Sequence, residues 1–251
     1  MENKDLKAKY DEMHSQGPSA WFGQGEEERR LILEMGEPWE NKVVLEIGCG
    51  EGQLSKEIFK KGAYVAGIDY SAQAILKAKE KIESYPKLVF LEMNYKACPT
   101  FCKYNTIVMQ GVLEHLDNPF DELKWMMDNL LSDHGDVITS SPCFLNPRGI
   151  VWMALDMLGA VMSKTDLHYL NPCDFQNFCH DNHYSMDWET CDYGWAQDVD
   201  MVSDLRKRIP LALKDGNLPY SEEKFLKFIE WLDCRLFCTN HGATAVYKIS
   251  K

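Results

Sequence analysis

The chain has 251 residues, enough for one generous α/β domain or a domain carrying a large insertion. Apolar residues make up 45% and charged residues 26%, an ordinary globular balance, and no stretch approaches the roughly 20 apolar residues of a membrane span. The net charge of -12 repels phosphate backbones, so nucleic acid is not an expected substrate.

The first residues, MENKDLKAKYDEMHSQ, are charged and have no apolar core, so they do not read as a secretory signal. Nine cysteines are present, and none of the spacings (Cys98 to Cys102, Cys173 to Cys179, Cys234 to Cys238) makes a paired C-x-x-C zinc framework. An odd number without a signal peptide predicts reduced thiols in a cytoplasmic protein. The group Cys173, Cys179, His180, His183 and Cys191 matches no established ligand spacing, and no metal is expected.

Residues 1–40 read as a polar-amphipathic N-terminal lid, with a turn at Gln16 to Ser19 and a helix over Glu26 to Met35. From residue 43 strands and helices alternate. Val43 to Ile47 is a short apolar run ending in glycines, as a buried parallel strand would be. Gln53 to Lys61 follows as a helix, closed by Gly62. Ala63 to Ile68 is a second strand. Ser71 caps a helix to about Ser84, with Ile75, Ala78 and Ile82 on one face. Leu88 to Met93 and Thr106 to Gln110 are the third and fourth strands. Pro119 opens a helix to about Leu131, and Asp136 to Ser140 is the fifth strand. Residues 146–240 are expected as a mostly helical substrate cap containing one more strand near Ser185 to Tyr193. Residues 241–251 hold the last strand. Five strands alternating with helices predict a doubly wound parallel sheet with right-handed crossovers, so 41–145 is the expected core.

The strongest local pattern is Glu46-Ile47-Gly48-Cys49-Gly50-Glu51-Gly52, between a strand and a helix. Its glycines allow positive φ and close approach of backbone to a ligand, outside the carboxyl ends of the strands. The dinucleotide fingerprint G-x-G-x-x-G would need glycine where Gln53 stands. Glu51 at the helix start disfavours a dianion there and tolerates a zwitterion beside a cation better. Asp69 ends the second strand, placed to accept hydrogen bonds from both hydroxyls of a ribose; the plainer alternative is that it caps the helix after Ser71. Asn94 ends the third strand, where its amide can meet an adenine edge. Tyr70 and Tyr95 are candidates to sandwich that ring.

These segments resemble a known family. Val44 to Gly52 is similar to motif I of class I S-adenosylmethionine-dependent methyltransferases, and Gly67-Ile68-Asp69-Tyr70-Ser71 resembles their second motif. Gln110-Gly111-Val112-Leu113-Glu114-His115-Leu116-Asp117-Asn118-Pro119 resembles the segment after the fourth strand in the subgroup of ubiquinone-biosynthesis O-methyltransferases and small-molecule methyltransferases. The resemblance covers about residues 40–145. It implies a Rossmann-like α/β fold, a seven-stranded, mostly parallel sheet whose last strand is antiparallel, with the helical cap inserted before the last strands. It also implies S-adenosylmethionine as cofactor, with Gly48, Cys49 and Gly50 against its methionine part, Asp69 on ribose, and Asn94 and Tyr95 near adenine. Gln110 and Val112 would flank the methyl, and Glu46, Gln53, Leu54, Tyr70 and Gly111 complete the expected cofactor shell. The family commonly has aspartate where Asn94 stands.

Methyl transfer from a sulfonium is an in-line displacement, so positioning supplies much of the acceleration. A hydroxyl acceptor also needs a base. His115 is one candidate, with ordering of its loop as the alternative; His168 is the other, with a structural tether as its alternative. Trp21, Phe22, Phe144, Arg148, Trp152 and Tyr169 are the expected acceptor pocket, an aromatic set with one cation that suits a planar or carboxylated small molecule. Each of them also reads as helical core. The Met- and Trp-rich stretch 151–162 fits an interface with a second copy. The expected function is methyl transfer to oxygen or nitrogen of a small molecule. The alternatives are a protein or RNA methyltransferase, or a non-methylating relative of the fold.

Overall fold

The structure is a computed structural model that describes residues 25–81, 85–163, 165–233 and 239–251. In chain order its elements are α1 (Glu26–Met35), β1 (Val43–Ile47), α2 (Gln53–Lys60), β2 (Tyr64–Asp69), α3 (Ala72–Lys81), β3 (Leu88–Glu92), β4 (Tyr104–Gln110), α4 (Pro119–Asn129) and β5 (Leu131–Pro142). There follow α5 (Pro147–Met157), α6 (Pro172–Asn182), β6 (Ser185–Cys191), α7 (Tyr193–Gln197), α8 (Val199–Asp215), α9 (Glu222–Asp233) and β7 (Thr244–Ser250).

Among the described residues seven strands form one sheet in the order β3-β2-β1-β4-β5-β7-β6. The pairs among β1 to β5 are parallel, and β7 runs antiparallel to both β5 and β6. This is the expected doubly wound, mostly parallel sheet. Strand order reverses between β1 and β4, which opens a crevice at their carboxyl ends.

Each face of the sheet is covered by helices, which is why its central strands are continuous apolar runs. On one face α1, α2 and α3 bury Ile32, Ile58 and Ala78 against Val44, Val65, Val108 and Val246. On the other, α4 and α6 bury Leu123, Met126, Phe175 and Phe178 against Leu45, Ile107, Val137 and Tyr247. Helix α1, expected within a lid, therefore packs on the sheet. Helix α6, expected within the cap, covers the core. Its start is strongly specified: Pro172 is its first residue, and Asn171 and Asp174 cap each other's backbone.

A third apolar cluster lies apart from the sheet faces. It joins α5, α8 and α9 through Trp152, Met201, Leu205, Ile209 and Ile229. This is the helical cap proper. Two of the element ends that differ from expectation have a plain structural basis. Leu131, expected at the end of a helix, opens β5 instead and pairs with Tyr104. The strand expected to reach Tyr193 stops at Cys191, because Asp192 takes a left-handed φ of 59°. Ile82, expected on the inner face of α3, lies outside the described residues.

Phe175 anchors α6. It is fully buried, and its ring stacks on Tyr247 of β7 with centroids 3.8 Å apart. Phe175→Ala should destabilise the fold by about 3–5 kcal/mol, as large-to-small core changes do. Urea unfolding checks this; a loss under about 1 kcal/mol would mean that α6 contributes little to the sheet.

Candidate active site

The glycine loop lies where expected, between β1 and α2. Gly48, Gly50 and Gly52 have φ of 72°, 51° and 79°, left-handed values that side chains disfavour. Gly48 has a second constraint: a Cβ there would lie 2.7 Å from Val112 Cγ2. The loop is fastened to the end of β2. The Ile68 carbonyl accepts from the amides of Gly48 and Cys49, at 2.8 and 3.0 Å. The Asp69 carboxylate accepts from the amides of Gly50 and Ser71, at 3.0 and 2.8 Å. Ser71 in turn caps α3 by accepting from the Ala74 amide.

This arrangement decides between ligand classes. A phosphate-binding loop points unused amides at the anion. Here the amides of residues 48 to 50 are spent within the protein. The charge of Glu51, expected to repel an anion by itself, is met by Lys77 at 3.3 Å. The occupied amides therefore carry that argument better than Glu51 does. A ligand with cationic and hydroxyl groups suits this site better than an anion, because its amides are occupied and Asp69 brings a carboxylate to it.

Glu46 lies beneath the loop, almost wholly buried, and accepts a hydrogen bond from Ser55 Oγ. Burial pushes its carboxyl up to about 8, opposed by the Ser55 bond and aided by Asp69. Leu54 is buried beside it, whereas Gln53 is exposed and donates to Glu57 at 2.5 Å. Tyr70 is half-buried at the end of β2.

Asn94 is exposed and accepts from the Lys96 amide, capping a short helical turn. Tyr95 is half-buried and packs toward α4. Its hydroxyl donates to Glu122 at 2.8 Å and its ring meets Trp125 edge-on. That places it against α4, where burial and Glu122 raise its hydroxyl far above the usual range.

At the end of β4 the Gln110 amide donates to Glu28 of α1 at 2.5 Å. Gly111 turns with φ of 61°, and its amide donates to Ser140 Oγ at 3.2 Å. A single helical turn over Leu113 to His115 follows. Glu114 points inward; its Oε1 lies 3.6 Å from where a Cβ on Gly111 would sit. Its carboxyl is raised well above the usual range by burial, then by Asp166 and Glu28. Glu28 is raised too, mainly by burial, with the Ser140 and Gln110 bonds opposing. Sequence reasoning missed both acids. Glu114 sat inside the quoted motif between two chosen residues, whereas no local pattern distinguishes Glu28 from its acidic neighbours.

His115 Nδ1 lies 3.0 Å from the Thr165 carbonyl and 3.5 Å from Asp166. A carbonyl only accepts, so Nδ1 carries the proton and Nε2 is the lone-pair nitrogen. Burial lowers the ring's pKa against the pull of Asp166, keeping it neutral near pH 7. His168 Nε2 donates to the Asp117 carbonyl at 3.1 Å, tethering the two loops.

The expected acceptor pocket does not form as one wall. Trp21 and Phe22 lie outside the described residues. Phe144, Trp152 and Tyr169 pack edge-to-face within the cap core, Phe144 to Tyr169 at 5.1 Å. The Tyr169 hydroxyl donates to Asp156. Arg148, expected as the cation for an acceptor carboxylate, donates twice to Asp204, at 3.0 and 2.9 Å. Arg208 shares that aspartate, and the two guanidiniums cover Trp152 at 4.6 and 4.8 Å. The charge of Arg148 is therefore committed inside the cap. Two open clefts of about 260 and 330 Å³ lie instead at the β6 edge, around Trp188 and Glu189. Neither is lined by the glycine loop. Among the described residues no group of three or more His, Cys, Asp and Glu is arranged to hold a metal ion.

A seven-stranded sheet of this order, with a glycine loop after β1, an acid ending β2 and a glycine turn after β4, is the class I methyltransferase arrangement. Residues 45–137 match the family model of a methyltransferase domain. Over that stretch the chain carries a methyltransferase domain, and its sheet has the fold of the class I, S-adenosylmethionine-dependent type.

Among curated proteins, the ubiquinone biosynthesis O-methyltransferase of Glaesserella parasuis is 36% identical over 107 residues, 40% of this chain and 45% of that protein. The malonyl-[acyl-carrier protein] O-methyltransferase of Halalkalibacterium halodurans is 25% identical over 146 residues, 55% and 54% of the two chains. The chain thus spans about half the length of these relatives. Among solved structures, the magnesium protoporphyrin IX methyltransferase of Synechocystis PCC 6803 with bound SAH superposes with a TM-score of 0.57 at 16% identity, over 98% of this chain and 99% of that one. At that identity the likeness is one of fold.

The buried acid beneath the loop gives a pH-dependent prediction. The Glu46 carboxyl titrates near 8 in the fold and near 4.5 as an ordinary glutamate. The native state therefore holds an extra proton between those values, and stability falls as pH rises through that window. The penalty is absent below it and complete above it. Glu46→Gln should flatten the dependence, so its stability relative to the parent should improve from pH 5 to pH 8. Unfolding curves at both pH values test this; an unchanged slope would show that Glu46 is not the group responsible.

Proposed function

We propose that the chain transfers a methyl group from S-adenosylmethionine to a small acceptor molecule in the crevice between β1 and β4. The observation that carries this reading is the loop whose amides at residues 48 to 50 are spent on Ile68 and Asp69, which suits a cationic, ribose-bearing ligand beside a carboxylate better than a phosphate. When bound, the cofactor supplies an electrophilic methyl carbon on sulfonium sulfur. Gly48, Cys49 and Gly50, with Glu46, Gln53 and Leu54 around them, would hold its amino-acid part. Asp69 would accept from the ribose hydroxyls, with Tyr70 and the Asn94 edge beside the adenine. Tyr95 supports that edge from the α4 side.

Gln110, Gly111 and Val112 would flank the transferred methyl. Gln110 is held by Glu28 and Gly111 by Ser140, so the backbone there is positioned before any acceptor arrives. His115 is the proposed base, because its protonated Nδ1 is spent on Thr165 and its neutral ring has a lone pair at Nε2. His168 serves to tie loops, and Phe144, Trp152 and Tyr169 serve as support behind the acceptor. The small acceptor accords with the likeness to a ubiquinone biosynthesis O-methyltransferase. The unpaired described cysteines accord with a reducing, cytoplasmic setting. The exposed Ile150, Met153 and Met157 on the outer side of α5 are the surface proposed to meet a second copy.

Calorimetric titration of the purified protein with S-adenosylmethionine, with NADH as control, tests the cofactor. The methyl donor should bind and NADH should not. Asp69→Ala should weaken donor binding about 10- to 100-fold, the loss of hydrogen bonds to a charged group. Folded protein that fails to bind the donor at millimolar concentration would refute the reading. With an acceptor in hand, His115→Ala should lower turnover about tenfold or more; an unchanged turnover would assign His115 to loop ordering alone.

A further inference from the structure

Two carboxyl groups from distant parts of the chain converge on the end of β4. Glu28 reaches Gln110 from α1, and Glu114 folds back beneath Gly111. Glu114 is only 4% exposed, yet its Oε2 has no hydrogen-bond partner among the described residues. Leaving such an oxygen unpartnered is costly, and in a native protein that calls for an explanation. Asp166, beside His115 at 3.5 Å, adds a third carboxyl to the same surroundings. Among the described residues, Arg29 pairs with Glu57 at 3.6 Å and Arg148 with Asp204 at 2.9 Å. His115 is neutral and donates to a carbonyl.

We propose that the acceptor is an amine, whose ammonium form is recognised by Glu114 and Glu28 at the end of β4. This rests on the methyl-transfer reading and goes further by naming the class of substrate. A carboxylated acceptor would find no cation here in Arg148, which is committed to Asp204. A neutral hydroxyl would gain no charged partner. An ammonium supplies the hydrogen-bond donor that Glu114 Oε2 lacks, and charge-assisted bonds are about twice as strong as neutral ones. The chain's net charge of -12 also favours the approach of cations.

The chemistry balances. The bound ammonium gives one proton to Nε2 of His115, which passes it to solvent. The freed nitrogen lone pair forms the new N–C bond as the methyl–sulfur bond breaks, the bonding pair staying on sulfur. The product leaves as a protonated, methylated amine.

The test uses the full chain saturated with S-adenosylhomocysteine and titrates benzylamine, benzyl alcohol and benzoate, up to 10 mM, near neutral pH and low salt, followed by NMR. Benzylamine should bind at least about tenfold tighter than either isostere. That preference should fall at least about tenfold in Glu114→Gln and in Glu28→Gln, in variants that keep the parent's melting temperature. The two variants are read separately, so one that fails to fold leaves the other to decide. Benzoate or benzyl alcohol binding as well as benzylamine, no benzylamine binding at all, or a preference untouched by both substitutions would overturn the proposal. Failure of S-adenosylhomocysteine itself to bind would instead remove the methyl-transfer reading and the amine with it.

Discussion

Ile68 and Asp69, at the end of β2, hold the glycine loop in its shape. One carbonyl takes two loop amides and one carboxylate clamps Gly50 to Ser71. The loop must take left-handed backbone at three positions, which by itself is an unfavourable local conformation in most sequences. Glycine removes the steric cost, and the bonds to β2 remove the alternatives. Everything downstream is then set in place. Val112 can lie against Gly48 only because no side chain occupies that point. The turn after β4 therefore sits where the loop allows it, and Gln110 and Gly111 follow.

The carboxyls around this frame have a cost. Glu46, Glu28 and Glu114 are each pushed up mainly by burial. A fold selected for stability alone would fill such places with apolar groups of the same volume. Glu46 is partly compensated, since Ser55 donates to it. Glu114 is less so. Its Oε2 has no partner among the described residues, and that difference is what the proposed recognition of an amine rests on.

Much of the frame was legible in the sequence because its causes are local. Val43 to Ile47 reads as a buried strand, the glycines mark the turn, and Asp69 follows two residues after Gly67. Gly67 itself has a packing reason visible only in three dimensions: a Cβ there would press on Phe90 and Ser55 at 2.8 Å. What could not be read depends on contacts far apart in the chain. Glu28 meets Gln110 across 82 residues. Arg148 meets Asp204 across 56. No period or motif links those positions, so an arginine in an aromatic stretch looked like a ligand-binding cation. Helix α6 was assigned to the cap because the strand it feeds comes late. Its Phe175 and Phe178 belong to the sheet because β7 carries Tyr247 back beside β5.

The fate of Arg148 also moves the place where acceptor choice is made. Trp152 lies between two guanidiniums that share one aspartate, and Phe144 and Tyr169 close the same cluster. A cluster so fully engaged is a core for α5 and α8, and reshaping it for a ligand would break several bonds at once. Under the proposed reading, the described side chains at the end of β4 that are left to discriminate acceptors come from α1 and from the turn after β4. Those two segments are joined by the Glu28 to Gln110 bond. A substitution in either one is therefore felt by the other, and selectivity at this site depends on their shared geometry more than on the aromatic content of the cap.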